Sequence, residues 1–193
     1  MADLLSTVQL THHKWLNLFK TTYRNNAGRI GEWIFASRGR DNFNEPLNKP
    51  NAVTIVPIWN HEGERRLVLT KEFRIPLEAH EYGFPAGLLE KDESIEDCVR
   101  RELKEETGFG LLRVIRTSPM LASSAGMTDE TSVMVFVECE YGSAQQLEDD
   151  EDIQVVSLTH AEVRKWVKKP LMYSAKAWPV LLMFEQMGSL EMK

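Results

Sequence analysis

Two cysteines among 193 residues, Cys98 and Cys139, are too few for a disulfide framework. Both read as small packed residues, Cys98 in a helix and Cys139 in a strand. No apolar run is long enough to span a bilayer. The first residues, MADLLSTVQLTHHKW, lack the basic start and continuous apolar stretch of a secretion signal. Basic charge is in deficit: 23 Lys and Arg against 29 Asp and Glu leave a net charge of −6. A long nucleic acid needs a basic face, so neither DNA nor RNA is an expected partner. No internal repeat is visible. What remains is 42% hydrophobic residues, enough for a real core, in a chain the length of one domain with a small extension. A cytoplasmic globular protein, with no membrane partner, fits these features.

Carboxylates are plentiful, and they cluster. Residues 87–109 read GLLEKDESIEDCVRRELKEETGF. Glu102, Glu105 and Glu106 stand at helical offsets of three and four, which fall on one face. Like charges stacked this way repel and need a compensating partner. A solvated acidic face balanced by Arg100, Arg101 and Lys104 is one solution. A hard divalent cation such as Mg²⁺, bound by carboxylate oxygens together with substrate phosphates, is the other. Arg101 and Glu93 favour the second. Their pairing would fix the loop before the helix and leave the other three acids free.

The rest of the chain reads as strands around a few helices. Strands are expected over 13–23 and 29–37, joined by the turn signal Asn25-Asn26-Ala27-Gly28 into an N-terminal β-hairpin. Residues 38–50, polar with two prolines, read as a linker. The division expected is an extension over 1–45 and a main domain over 46–193. Further strands are expected over 52–59, 66–73, 111–121, 131–141 and 153–158, with a short extended stretch over 81–89. Ser94 with Asp97 opens the carboxylate helix, Ile95, Cys98, Val99 and Leu103 form its buried stripe, and Gly108 ends it. Thr159 with Glu162 opens a second helix, to about residue 168. A last helix spans about 174–187, with Pro179 an awkward guest that favours a start nearer Trp178. Residues 122–130, ASSAGMTDE, and the acidic stretch 142–152 are loops. The class is α+β, a mixed sheet between helices.

The carboxylate segment resembles the Nudix box, G-x5-E-x7-R-E-U-x-E-E-x-G-U with U a bulky apolar residue. Every fixed position is present, and Phe109 fills the last apolar slot. The resemblance implies an α/β/α sandwich and a hydrolase of diphosphate linkages. It implies that Glu102, Glu105 and Glu106 ligate Mg²⁺ or Mn²⁺ with the backbone carbonyl of Ala86, and that Gly87, Glu93 and Arg101 are structural. The metals would neutralise the diphosphate and lower the pKa of a water. A general base must lie within reach of that water. In the branch that cleaves ADP-ribose and related sugar nucleotides it is often a glutamate on a loop after the box, here Glu130, with Asp129 as the neighbouring alternative. Trp15 and Trp33 resemble the N-terminal aromatics that sandwich the nucleobase in that branch, where the hairpin also exchanges contacts across a homodimer; packing at a core or interface is their alternative role. Arg74 matches an arginine that touches the diphosphate, with a surface ion pair as its alternative. The run from Glu148 to Ile153 and the FPAG segment also look like this branch. Ser124-Ala125-Gly126 and Gly83 depart from it, so a broader preference among nucleoside diphosphate sugars is as well supported as ADP-ribose alone. The alternatives are a nucleoside triphosphate or NADH pyrophosphatase and a non-catalytic nucleotide-sugar sensor.

Overall fold

In the computed structural model, residues 2–39, 43, 45, 47–147 and 152–187 are described. The expected acidic run at 148–151 lies outside them. The chain divides into two units, Met1–Asn51 with Met120–Ser132, and Ala52–Pro119 with Val133–Lys193.

The second unit is built on strands whose two faces are both covered. Its sheet follows β11 (Ile153–Thr159), β5 (Glu64–Arg74), β4 (Ala52–His61), β10 (Thr131–Tyr141) and β8 (Phe109–Thr117). The pairs β11–β5, β5–β4 and β10–β8 are antiparallel, within a sheet that is mixed overall. Side chains alternate between faces with a period of two. Val53, Ile55, Val68, Val133, Val135 and Val137 join Cys98, Val99 and Leu103 of α1 (Ile95–Thr107) in one core. Val56, Ile58, Leu67, Leu69 and Phe136 face the other way, onto Val163 of α2 (His160–Trp166) and Val180, Leu181 and Phe184 of α3 (Ala177–Met187). Odd and even positions thus serve opposite layers, which is why these strands read as unbroken apolar runs. This is the α+β sandwich expected. No helix among the described residues is long and apolar enough to cross a membrane.

β4 and β5 share a ladder only from Ile58 and Leu67 to the turn at Glu62 and Gly63, both at positive φ. Beyond it they part. β6 (Ala79–Gly83) pairs with β5, and β7 (Ala86–Leu88) with β4, setting Ala86 and Gly87 opposite Thr54 and Val53. That pairing brings the start of the carboxylate motif onto the sheet.

The first unit holds an antiparallel sheet, β1 (Asp3–Gln9), β2 (Asn17–Arg24) and β3 (Ile30–Ser37). The expected hairpin is β2–β3, and it gains a third strand. β1 went unread because its side chains are almost all exposed, leaving no alternation to detect. β2 starts at Asn17 rather than at residue 13. The Asn17 side chain closes a turn there, accepting from His13 N at 2.6 Å and Thr11 Oγ1 at 3.1 Å. Residues 111–121 are likewise not one strand. Proline has no N–H to donate, and the ladder stops before Pro119. β9 (Leu121–Ala122) is a separate strand paired with Thr131 and Ser132. Pro179 sits in the first turn of α3, where its missing N–H is tolerated.

Candidate active site

Helix α1 carries the acids at its less hospitable end. Ser94 caps it, accepting from Asp97 N at 3.1 Å, and Gly108 ends it at φ 74°. A helix C-terminus has negative partial charge and favours cations, yet Glu102, Glu105 and Glu106 fall in the last turns. The buried stripe carries Glu102 and Glu106 inward, to 9% and 6% exposure. Glu106 Oε2 accepts from Ala86 N of β7 at 3.2 Å. Glu102 lies against Gly87, where an added Cβ would stand 1.7 Å from its Oε1. Any side chain at Gly87 would therefore displace the Glu102 carboxylate. The end of α1 is held by a loop that sequence reasoning missed. Gln145 Nε2 donates to Glu106 O at 2.5 Å, and Gln146 N to Glu105 O at 2.8 Å. Nothing in a polar loop sequence signals that role.

Arg101 organises the cluster. Its Nε and Nη2 donate to Glu93 at 2.9 and 3.0 Å, a bidentate pair, and Nη2 also reaches Leu88 O at 3.1 Å. The loop 88–93 is thereby tied to the helix, as expected. The Arg101 guanidinium holds the Glu93 carboxyl down to about 2 against a partial opposing effect of burial, and Glu93 in turn raises the Arg101 pKa. The expectation that this pairing leaves the other acids free is corrected. Nη1 also donates to Glu102 at 2.6 Å and to Glu105 at 3.4 Å. Among the described residues no three His, Cys, Asp or Glu side chains converge tightly enough for a metal ion. The donor set nevertheless fits a hard divalent cation. Glu93, Glu102 and Glu105 share the Arg101 guanidinium, Glu106 lies buried beside them, and oxygen donors clustered in this way suit Mg²⁺ or Mn²⁺. Glu102 and Glu105 would have to turn from Arg101 to hold it.

The other acids belong to the first unit. The inner face of its sheet and the loop before β10 line a cavity of about 430 Å³, bounded by Tyr23, Trp33, Phe35 and Phe43 and by Asp129 and Glu130. Glu130 pairs loosely with Arg38 at 3.7 Å, and Asp129 Oδ2 accepts from Ser37 Oγ at 3.0 Å. Trp33, half exposed, lines this cavity. Trp15 does not: it is 69% exposed in the loop after β1, with Lys14 Nζ 4.1 Å from its ring centre. Arg74, in the second unit, donates to Glu72 at 2.6 Å and Glu81 at 3.3 Å, so its surface-pair alternative is the arrangement seen. Lys176, unread in the sequence, donates from Nζ to Thr54 Oγ1 at 3.5 Å, on the residue that faces Ala86. Cys98 and Cys139 are buried and unpaired, their thiols pushed up to about 12 chiefly by burial, so both are packing residues.

The description of the NUDIX domain matches residues 48–178, well over half of the chain. The chain belongs to the Nudix family. It is similar to the ADP-ribose pyrophosphatase of Bacillus subtilis (strain 168), 32% identical over 141 residues that cover 72% of this chain and 74% of that protein. It is also similar to the ADP-ribose pyrophosphatase of Saccharomyces cerevisiae, 31% identical over 153 residues, 75% of this chain and 64% of that protein. Among solved structures, a crystal structure of an ADP compounds hydrolase superposes with a TM-score of 0.75 at 21% identity, covering 99% of this chain and 97% of its own. That likeness shows the Nudix fold. The fixed box positions of this Nudix chain fall on β7, the loop after it, α1, its cap Gly108 and the start of β8.

Proposed function

We propose that this Nudix protein is a pyrophosphatase, dependent on Mg²⁺ or Mn²⁺, that hydrolyses the diphosphate of ADP-ribose or another nucleoside diphosphate sugar. One observation carries the reading: Glu102 and Glu106 are buried side by side against the strand bearing Ala86 and Gly87, with Glu105 and Glu93 gathered beside them around Arg101. Buried charges are paired or coordinate metals, and acids at the negative end of a helix are favoured by a cation there. The names of the Bacillus and yeast relatives support the substrate class. A cation held by Glu102, Glu105, Glu106 and the Ala86 carbonyl would offset the diphosphate charge and polarise a phosphorus.

The chain's own residues do the rest. Arg101 and Glu93 fix the loop against α1. Glu130 takes a proton from the attacking water, with Asp129 as the neighbouring alternative. Water oxygen bonds to one phosphorus and the bridging P–O bond breaks, releasing a nucleoside monophosphate and a sugar phosphate. Trp33 rather than Trp15 supplies the ring on which the nucleobase stacks, because it lines a cavity of a size that suits such a ligand. Arg74 joins the diphosphate by exchanging Glu72 and Glu81 for phosphate oxygens. Residues 1–45 form the extension that serves base binding and dimerisation, and 46–193 the hydrolase domain. A homodimer is supported by the outer face of β1–β3, where Val8, Leu18, Ile30 and Ile34 are exposed together. Two unpaired buried thiols suit the cytoplasm.

The test is a substrate panel of ADP-ribose, UDP-glucose, GDP-mannose, NADH and dATP, with Mg²⁺ and with EDTA, products separated by chromatography. Metal-dependent release of a nucleoside monophosphate from a sugar nucleotide is expected. Preference for dATP or NADH would move the assignment to those substrates. Binding of a sugar nucleotide with no product from any of the five would make the protein a sensor.

A further inference from the structure

Glu130 has a feature unlike the helix glutamates: its neighbours in sequence, on both sides, are fastened to another part of the chain. Before it, Ser37, 1% exposed at the end of β3, donates from Oγ to Asp129 Oδ2 at 3.0 Å. That hydroxyl is itself oriented, accepting from Gly39 N at 2.9 Å. After it, one side chain takes two bonds. Asn51 Oδ1 accepts from Thr131 N at 2.8 Å and Thr131 Oγ1 at 3.1 Å, while Asn51 N donates to Thr131 O at 2.9 Å. The backbone of Glu130 is satisfied too, its N–H by Thr128 Oγ1 at 3.2 Å and its carbonyl by Ser123 N at 3.0 Å. Only the carboxylate is left with latitude. It lines the aromatic cavity, one-third exposed, with Arg38 3.7 Å away.

A loop rich in Ser, Gly and Thr would ordinarily sample many conformations. Here three consecutive residues are pinned, and the pinning groups come from the end of β3 and the residue before β4. A carboxylate that must meet a water in one geometry gains from such fixing, because positional error of about 1 Å can cost about a hundredfold in rate. We propose that Ser37 and Asn51 are positioning residues that hold Glu130 at its working place through Asp129 and Thr131. This deepens the reading above and rests on Glu130 being the general base.

The experiment measures kcat and KM for ADP-ribose with Mg²⁺, as functions of pH, on the full chain and five variants. Ser37→Ala and Asn51→Ala are expected to lower kcat about 10- to 100-fold with KM changed less than about threefold. Their kcat profiles should lose the acidic limb that a fixed base gives. Ser37→Thr keeps the hydroxyl and Asn51→Asp keeps the acceptor, so both should recover most of kcat. Glu130→Gln separates the two layers of the argument. If it keeps wild-type kcat, Glu130 is not the base and both readings fall. If it abolishes turnover while Ser37→Ala and Asn51→Ala leave kcat and its pH profile unchanged, the base stands and the positioning role is overturned. Equal losses in the Ala and the conservative variants, accompanied only by a lower Tm, would also overturn it. Should Asn51→Ala fail to fold, the Ser37→Ala and Ser37→Thr pair carries the same decision.

Discussion

The two units treat acidic residues in opposite ways. In the second, Glu102 and Glu106 are buried on a helix whose other side chains fill a core, and a single arginine binds three neighbouring acids. In the first, Asp129 and Glu130 sit on a loop at the wall of a cavity, and their order comes from hydrogen bonds to Ser37 and Asn51. The helix positions its acids through periodicity and packing, so their spacing is local and rigid. The loop has no periodicity, and its position depends on groups some 80 to 92 residues away in the chain. The apolar residues differ in the same sense. The sheet of the second unit is covered on both faces, while β1–β3 leaves large side chains in solvent.

The sharpest way to break this comparison is at Glu106. Glu106→Gln keeps an acceptor for Ala86 N but loses the charge, and turnover should fall roughly a hundred- to a thousandfold with little change in Tm. Wild-type turnover at saturating Mg²⁺ would sever the helix from the chemistry. The next effect is on stability. Leu103→Ala, on the fully buried face of α1, should cost about 2–5 kcal/mol by urea unfolding. Ile34→Ala, on the exposed face of β3, should cost within about 0.5 kcal/mol of the monomer's stability. Equal losses would mean that the first unit's face is as covered in solution as the core.

The third effect depends on pH. The folded-state pKa of Glu93 is lowered from 4.5 to about 2, first by its bond to Arg101. A depressed acid stabilises the fold above its unfolded value and loses that contribution as pH falls through the folded one. Glu93→Gln should therefore cost about 1.5–3 kcal/mol at pH 7, and the gap to the native protein should narrow between pH 4.5 and 2. A gap that stays constant with pH would mean that the charge of Glu93 contributes nothing. The smallest effect concerns substrate capture. Trp33→Ala should raise KM for the sugar nucleotide about tenfold, with Trp15→Ala changing it less than about twofold. The reverse order would move the stacking surface out of the cavity.

How far the sequence could be read follows the same division. The spacing of Arg101, Glu102, Glu105 and Glu106 is helical, and a glutamate at the loop that opens the helix, eight residues before the arginine, is enough to announce the Arg101–Glu93 clasp. The caps of α1 and α2 were legible as well, because Ser94 and Thr159 act within three residues of themselves. Legibility failed where an interaction left that range. That Arg101 reaches Glu102 and Glu105 depends on rotamers, not on spacing. β1 carried no periodicity because neither of its faces is buried in the described chain. Gln145, Lys176, Ser37 and Asn51 are ordinary polar residues in sequence, and each acquires its partner only by folding.

The sequence by itself determined the helix, the order of its acids, its caps and the strands whose apolar residues alternate between two cores, because each of these depends on repeats of two or 3.6 residues that a linear reading can see. The tertiary structure alone decided which cation the acids meet in this conformation, which tryptophan reaches a cavity and what holds the loop before β10. Those outcomes depend on side chains meeting across long stretches of chain, and no local pattern of residues encodes where such meetings occur.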